Sequence, residues 1–215
     1  VKNSVLTLQL SVASRPSGQI RKISGFPISL EGKANQLQLE KTEKPSHIFW
    51  VENNKTIKSM NINSTEILEL EMPSDVYIVA AETENKEAGV LWAVTNEGGV
   101  YSLSSNLSIL DGFPILLDSK PSTKPVVRKN TLIIPLENKK ICVVNEDKSK
   151  EYLEIPELNG SILASPTILN DKIAFYDKGF LGKVHVIGSE SKNEYNVLGI
   201  AFGSPALMEK DGETY

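Results

Sequence analysis

Histidine and cysteine, the side chains that most often bind metals or act as nucleophiles, are rare in this sequence. The histidines are His47 and His185, and the single cysteine is Cys142. A zinc site needs three or four nitrogen, sulfur or oxygen ligands, and the sequence suggests no third ligand for either histidine. We therefore expect ordinary strand histidines, no metal site and no metal ion.

Cys142 lies between Ile141 and Val143 in a continuous apolar run. A nucleophilic thiol needs an exposed, electropositive setting, so this context predicts a buried and inert thiol. With one cysteine, an internal disulfide is excluded.

Paired carboxylates could act as the acid and base of a glycosidase. A glycosidase needs two or three carboxylates about 5–10 Å apart. The acidic residues at predicted strand ends and turns include Glu40, Glu52, Glu137, Asp171 and Asp177. Acidic residues in turns are usually solvated or cap backbone groups. The sequence therefore predicts no catalytic residue.

The composition limits the possible partners. The chain has 215 residues, 40% of them hydrophobic, and a net charge of −4. Nucleic-acid binding needs a concentrated basic surface, and the lysines here are scattered. No apolar run approaches the roughly 18 residues of a membrane span. We expect no nucleic-acid partner and no direct membrane span.

The elements that position these residues are predicted to be strands. Apolar stretches are short, and many alternate with period two, as in 36–39, 67–70 and 183–186. Helical periodicity is almost absent. Many short strands at a spacing of about ten residues predict an all-β sandwich, barrel or propeller.

Internal repeats favour the propeller. The letters GFPI occur at 25–28 and again at 112–115, 87 residues apart, and Trp50 and Trp92 are 42 residues apart. Two similar stretches, WVENNKTIKSMN and PLENKKICVVN, end at Asn61 and Asn145, which are 84 residues apart. Prolines at the starts of predicted strands repeat at spacings of 41 and 39; they are Pro125, Pro166 and Pro205. A unit of about 42 residues with four strands is typical of a propeller blade.

The predicted blades occupy 33–74, 75–118, 119–160 and 161–202. The second and third strands of the first blade are predicted near 47–52 and 56–61. The outer strand of the second is predicted near 107–110, with Gly112-Phe113-Pro114 where it ends and the chain crosses to the next blade. Residues 1–32 resemble the end of a blade, and residues 203–215 resemble the start of one. Two arrangements stay open: the ends pair and close a five-bladed ring, or the chain is part of a seven- to eight-bladed ring. Bulky residues recur near equivalent second-strand positions, where packing between blades is expected. They are Trp50, Trp92, Phe175 and Tyr176.

The stretch "GGVYSLSSNLSILDGFPILLDSKPSTKPVV" at 98–127 resembles quinoprotein-like (PQQ-like) and FG-GAP-type propeller repeats, and 160–188 resembles them in part. This resemblance implies a propeller of four-stranded antiparallel blades. It does not imply a quinone cofactor or calcium, because the docking repeats and the DxDxDG loops of those families are not intact here. The nearest approach to a calcium loop, at 209–213, has too few alternating carboxylates.

These features together predict a non-catalytic scaffold or protein-binding module of the bacterial periplasm or cell surface. Its expected partner is another protein, contacted through loops or an exposed edge strand. The alternative is a propeller enzyme, either a glycosidase, a lyase or a quinone-dependent oxidoreductase, with its active site incomplete in this chain. Because the sequence starts at Val1 rather than at methionine, we expect that an export signal preceded it.

Overall fold

The computed structural model of this chain is all-β, and no helix occurs in the residues that it describes. The structure describes residues 6–8, 11–13, 20–22, 28–30, 34–42, 45–82, 89–128, 130–154, 158, 160–162, 164–170, 172–177, 182–188, 192–197, 203–210 and 213–214.

The first strands form two antiparallel pairs: β1 (Leu6–Leu8) with β4 (Ile28–Leu30), and β2 (Ser11–Ala13) with β3 (Ile20–Lys22). Four sheets of four antiparallel strands follow, and we call them blades 1 to 4. In each blade the strands hydrogen-bond in chain order, as in a propeller blade.

The strands of blade 1 are β5 (Ala34–Leu39), β6 (His47–Glu52), β7 (Thr56–Asn61) and β8 (Ile67–Glu71). Those of blade 2 are β9 (Val76–Ala80), β10 (Leu91–Thr95), β11 (Gly99–Leu103) and β12 (Ile115–Leu116). Those of blade 3 are β13 (Val126–Arg128), β14 (Thr131–Pro135), β15 (Lys140–Val144) and β16 (Lys150–Glu154). Those of blade 4 are β17 (Thr167–Leu169), β18 (Lys172–Asp177), β19 (Lys183–Ile187) and β20 (Lys192–Asn196). A last pair joins β21 (Glu209–Lys210) to β22 (Glu213–Thr214).

The turns repeat from blade to blade as the strands do. Between the third and fourth strands of blades 1 to 3, a backbone carbonyl accepts a hydrogen bond of 2.8–3.0 Å from a residue three or four positions on. The acceptors are Asn61, Ser104 and Asn145. Each donor has a positive φ angle; the donors are Thr65, Leu107 and Lys148. The repeat seen in the sequence is therefore a repeat of local backbone geometry.

The hydrophobic core lies between blades, because successive strand residues face opposite sides of a sheet. Leu91 and Ala93 of β10 pack in a cluster with Phe49 and Val51 of blade 1. The residues between and after them, Trp92 and Val94, pack in a second cluster with blade 3, which supplies Leu132, Ile134 and Cys142. A third cluster joins blades 3 and 4. Full burial of one large aliphatic side chain contributes about 1.5–3 kcal/mol, so each interface between blades is a main source of stability.

Two glutamines of β5 add hydrogen bonds to the interface between blades 1 and 2. The Gln36 side chain donates from Nε2 to the Val76 carbonyl at 2.8 Å, and its Oε1 accepts from the Ile78 amide at 3.0 Å. Gln38 Oε1 accepts from the Ala80 amide at 3.4 Å. The side-chain amides thus satisfy backbone groups on the free edge of β9, which pairs with no strand in the described part of the chain.

The second GFPI stretch does not lie where the sequence analysis predicts. The fourth strand of blade 2 was expected near 107–110, with Gly112-Phe113-Pro114 beyond its end. Ile109 makes only an isolated bridge to Leu103, and the paired strand is β12, which begins at Ile115. The reason is that the outer strand pairs with β11 at both ends and loops out between them. GFPI therefore interrupts the outer strand instead of following it.

The Gln36 contact predicts a measurable stability effect. Gln36→Glu keeps the acceptor for Ile78 but replaces the donor by a carboxylate facing the Val76 carbonyl. We expect a loss of about 1–3 kcal/mol in the free energy of unfolding at neutral pH. The control is Asn35→Asp, because the exposed Asn35 side chain bonds another exposed side chain, that of Asn54; it should stay within about 0.5 kcal/mol of wild type. Urea unfolding measures both, and equal effects would contradict the proposed role of Gln36.

Candidate functional site

A pocket of about 180 Å³ lies between blades 2 and 3. We call it the 2–3 pocket. Blade 2 contributes Trp92 of β10, Ser102 of β11 and the loop before β12, and blade 3 contributes the turn between β15 and β16. Its full lining is Ala81, Gly89, Trp92, Ser102, Leu110, Asp111, Phe113, Glu146 and Lys148.

The loop that carries GFPI shapes one wall of the 2–3 pocket. The Phe113 ring meets Trp92 edge to face, with centroids 5.7 Å apart and planes at 75°, a favoured aromatic geometry. Gly112 has a φ of 78°, and a Cβ placed on it would lie 2.5 Å from Lys148 Nζ. Glycine at this position therefore allows both the turn and the close approach of Lys148.

The outer strands of blades 2 and 3 are tied together beside the pocket. Lys150 Nζ donates to the Leu116 carbonyl at 2.9 Å and to Asp118 Oδ1 at 3.1 Å, and the Asp118 amide donates to Tyr152 Oη at 3.2 Å. Hydrogen bonding to Tyr152, followed by that to Lys150, lowers the pKa of the Asp118 carboxyl from its usual value. These contacts hold the segment after GFPI in place and so fix the pocket wall.

The 2–3 pocket combines a buried apolar wall with a charged mouth. Trp92 is 3% exposed and Ser102 is 4% exposed. The mouth carries the exposed carboxylates of Asp111 and Glu146 and the exposed ammonium of Lys148. These three groups give the pocket mouth a formal net charge of −1. This arrangement suits a group with an apolar body and a cationic end, held by aromatic faces and carboxylates.

The two histidines lie in different blades. His185 is fully buried: its Nε2 is 3.0 Å from Asp177 Oδ2, and its ring stacks on Phe175 with centroids 5.1 Å apart. Its Nδ1 is 3.3 Å from Glu194 Oε1, without the alignment of a hydrogen bond. His47 Nδ1 lies 2.9 Å from Ser46 Oγ. Across the described residues, no group of three histidine, cysteine or acidic side chains is placed to hold a metal ion.

The acidic residues singled out in the sequence are scattered, and two are less exposed than expected. Asp177 is fully buried, and its carboxylate also accepts a hydrogen bond from the Lys183 amide at 3.1 Å, which offsets part of the cost of burial. Glu40 is 7% exposed, and its Oε2 accepts from the Ser46 amide at 2.6 Å. Glu52 pairs with Lys58 at 2.8 Å. Glu137 is exposed, and Asp171 lies outside the described residues.

The bulky second-strand residues and the cysteine are buried. Trp50, Trp92, Phe175 and Tyr176 are 0–4% exposed, in agreement with a packing role. Cys142 is also buried, and desolvation raises the pKa of its thiol to about 11. The prediction of a buried thiol is therefore confirmed. Sequence reasoning missed the 2–3 pocket, since its lining comes from segments that meet only when two blades dock.

No helix in the described part of the chain is both long and apolar enough to cross a membrane. No protein-family model matches the sequence, and no curated protein matches it significantly.

Solved structures of β-propellers do match the fold. Streptogramin B lyase aligns with a TM-score of 0.56 and 18% identity, over 88% of this chain and 62% of the lyase. BBS1N, solved in complex with ARL6DN, aligns with a TM-score of 0.62 and 13% identity, over 95% of this chain and 68% of BBS1N. BamB from Moraxella catarrhalis aligns with a TM-score of 0.56 and 11% identity, over 86% of this chain and 60% of BamB.

These likenesses show the fold: the chain is an all-β protein of four-stranded propeller blades. It spans less than two thirds of the streptogramin B lyase and BamB chains. The matched propellers include enzymes as well as a protein solved with a partner.

The state of Cys142 predicts its reactivity. The thiolate is the reactive form, and a pKa of about 11 leaves only about one thiol in a thousand ionised at pH 8. We expect no labelling of the native chain by iodoacetamide at pH 8 and full labelling after unfolding in urea. Mass spectrometry counts the adducts, and rapid labelling of the native chain would contradict this expectation.

The Asp177–His185 pair predicts a large stability effect. Asp177→Ala removes the partner of a buried ring nitrogen and the acceptor of the Lys183 amide. We expect a loss of about 2–4 kcal/mol in the free energy of unfolding. Glu151→Ala is the control, because Glu151 is exposed on β16, and it should lie within about 0.5 kcal/mol of wild type. A loss below the control value, measured by urea unfolding, would show that the pair contributes little.

Proposed function

We propose that this chain is a non-catalytic propeller module that binds another protein, with the 2–3 pocket at the contact. The observation that carries the proposal is the size of this pocket. At about 180 Å³, it is smaller than the roughly 300–1,000 Å³ of small-molecule and cofactor sites. A pocket of this size accepts one side chain of a partner, as the anchor pockets of protein interfaces do.

The lining of the 2–3 pocket indicates which side chain fits. Trp92 and Phe113 offer apolar contact, and Asp111 and Glu146 outnumber Lys148 at the mouth. An arginine or lysine of the partner would place its aliphatic part against the aromatic rings and its charge beside the carboxylates.

BBS1N, solved in complex with ARL6DN, shows that a propeller can bind a protein partner, but at 13% identity this likeness carries the fold alone, and the proposal for this chain rests on the 2–3 pocket. The enzymatic alternative, a glycosidase, a lyase or a quinone-dependent oxidoreductase, has less support. A general base must reach a proton of the substrate, and His185 is fully buried against Phe175. The matched lyases do not change this, because at this level of identity a likeness carries fold and not chemistry.

The finer assignments belong to the same proposal. We propose one propeller domain, or a fragment of one, with blades at 33–74, 75–118, 119–160 and 161–202. The flanking 1–32 and 203–215 would belong to further blades. Family membership among quinoprotein-like propellers, and a place in the bacterial periplasm or at the cell surface, rest on the sequence resemblance at 98–127 and 160–188.

Photo-crosslinking in cells of the organism from which the chain comes, followed by cell fractionation, tests the proposal. The photoreactive amino acid p-benzoylphenylalanine replaces Lys148 at the pocket mouth in one variant and Glu97, which is exposed on another turn, in a second. We expect one discrete crosslinked protein from position 148, none from position 97, and recovery of the complex in the periplasmic or surface fraction.

Two charge variants make this test specific. Asp111→Lys with Glu146→Lys reverses the charge of the pocket mouth and should abolish the crosslink, because a cationic side chain is then repelled. Glu137→Lys with Glu151→Lys makes the same change at exposed positions outside the pocket and should preserve it. If both pairs behave alike, the 2–3 pocket is not the contact. A crosslinked complex confined to the cytoplasm would overturn the proposed location alone.

A further inference from the structure

The outer edge of β8 in blade 1 carries backbone hydrogen-bonding groups that bond to no other described strand. The Asn61 amide donates to the Glu66 carbonyl at 3.0 Å, and the Met72 amide donates to the Lys55 carbonyl at 3.1 Å. These two bonds and the pairing of Ser59 with Leu68 fix the phase of the ladder, because bonded residues alternate in an antiparallel pair.

The even-numbered residues of this strand therefore bond inward to β7. The odd-numbered ones direct their N–H and C=O groups away from the blade; they are Ile67, Glu69 and Glu71. Among the residues that the structure describes, no strand pairs with this side of β8. An edge of this kind is the template for addition of another strand.

The side chains of β8 differ between its two faces. Glu69 and Glu71 lie on one face of the strand together with Ile67; the two carboxylate side chains are 70% and 73% exposed, and Ile67 is 46% exposed. Leu68 and Leu70 lie on the other face; Leu68 is 38% exposed, and Leu70 packs at the border of the core between blades 1 and 2. A strand added here would meet Ile67 and two carboxylates on one face and two leucines on the other.

The carboxylates of β8 are only partly neutralised. Lys55 pairs with Glu71 at 3.0 Å, but Lys58 is closer to Glu52, at 2.8 Å, than to Glu69, at 3.6 Å. The edge therefore attracts cations. It also disfavours a second copy of the chain, because antiparallel pairing of two β8 strands about Glu69 would set like charges opposite each other.

The outer strands of the other blades are less suited to strand addition. β12 has two residues, and Lys150 donates to its Leu116 carbonyl. β16 is tied to blade 2 through Lys150 and Tyr152. β20 is exposed throughout, but its sequence KNEYN offers no aliphatic side chain.

We propose that the outer edge of β8 binds an extended segment of a partner protein as a fifth strand, and that this segment alternates cationic and apolar side chains. The inference rests on the proposed protein-binding function but uses a surface separate from the 2–3 pocket. Backbone hydrogen bonds to the outward groups of Ile67, Glu69 and Glu71 hold the added strand. Its cationic side chains pair with the two carboxylates.

Peptide binding to the purified chain tests this proposal directly. The probe is a fluorescein-labelled nine-residue peptide of alternating lysine and valine, measured by fluorescence anisotropy at low salt. A peptide of the same composition with lysines and valines in blocks is the matched control. We expect the alternating peptide to bind at least about tenfold more tightly, because only it matches the two faces of β8. Equal affinities would overturn the proposal, as would no binding of the alternating peptide.

Variants of Glu69 separate charge from backbone. Glu69→Ala removes one carboxylate and should weaken binding about threefold. Glu69→Pro also removes an outward N–H, which an edge strand tolerates because that group is not bonded to β7, and should weaken binding about tenfold further. Equal effects of the two substitutions would exclude strand addition. Backbone N-methylation of the peptide, tested on the unaltered chain, gives the same answer if Glu69→Pro fails to fold. One peptide is methylated at the lysine amides and a second at the valine amides; only the set that faces β8, which is the lysine set in an antiparallel pair, should abolish binding, and equal effects would exclude strand addition.

Reversing the charge of the β8 carboxylates tests whether they select the peptide. Glu69→Lys with Glu71→Lys should exchange the preference, so that a peptide of alternating glutamate and valine binds and the lysine peptide does not. The pocket variant Asp111→Lys with Glu146→Lys should bind the lysine peptide as wild type does. Loss of binding in the pocket variant would place the peptide in the 2–3 pocket. That result would overturn the edge-strand proposal and leave the proposed function standing.

Discussion

Burial of apolar side chains between neighbouring blades is the interaction on which this structure depends. A four-stranded antiparallel sheet is one layer thick, so it has no interior of its own and must cover both faces. Blade 2 shows this most clearly: Leu91 and Ala93 pack with blade 1, while Trp92 and Val94 pack with blade 3. Each blade is stable because its neighbours are in place, which is the usual energetics of repeat proteins.

The same constraint creates the candidate site. The docked surfaces of blades 2 and 3 leave space where Phe113 and Trp92 meet edge to face, and the turn with Glu146 and Lys148 closes over it. Gly112, with its φ of 78°, lets the loop turn there, because glycine adopts a positive φ without steric cost. The core between blades thus supplies the wall of the pocket, and the polar turns supply its charge.

The sequence predicts the strands well where the apolar signal is strong. The second and third strands of blade 1 were expected at 47–52 and 56–61 and lie at His47–Glu52 and Thr56–Asn61. The sequence prediction placed the outer strand of blade 2 wrongly, because outer strands are half exposed and carry little apolar periodicity. The strand Ile115–Leu116, with one half-buried and one exposed residue, is too short to show such a pattern.

The chemistry of the interior was harder to predict. The sequence predicts Asp177 as a solvated turn residue. The register that places His185 opposite Phe175, however, brings the imidazole to the Asp177 carboxylate. That contact depends on the hairpin, and no local pattern reports it. The 2–3 pocket depends on the docking of two blades for the same reason.

The glutamines of β5 have a consequence for how the blades align. Apolar surfaces pack without strict direction, so two blades could dock at more than one height. Gln36 and Gln38 bond three backbone groups of β9, at Val76, Ile78 and Ala80. Because hydrogen bonds are directional, this match fixes one vertical alignment of blade 1 on blade 2, which nonspecific apolar contact cannot do. The two amides therefore act as a gauge within the chain that sets the height of one blade against the next.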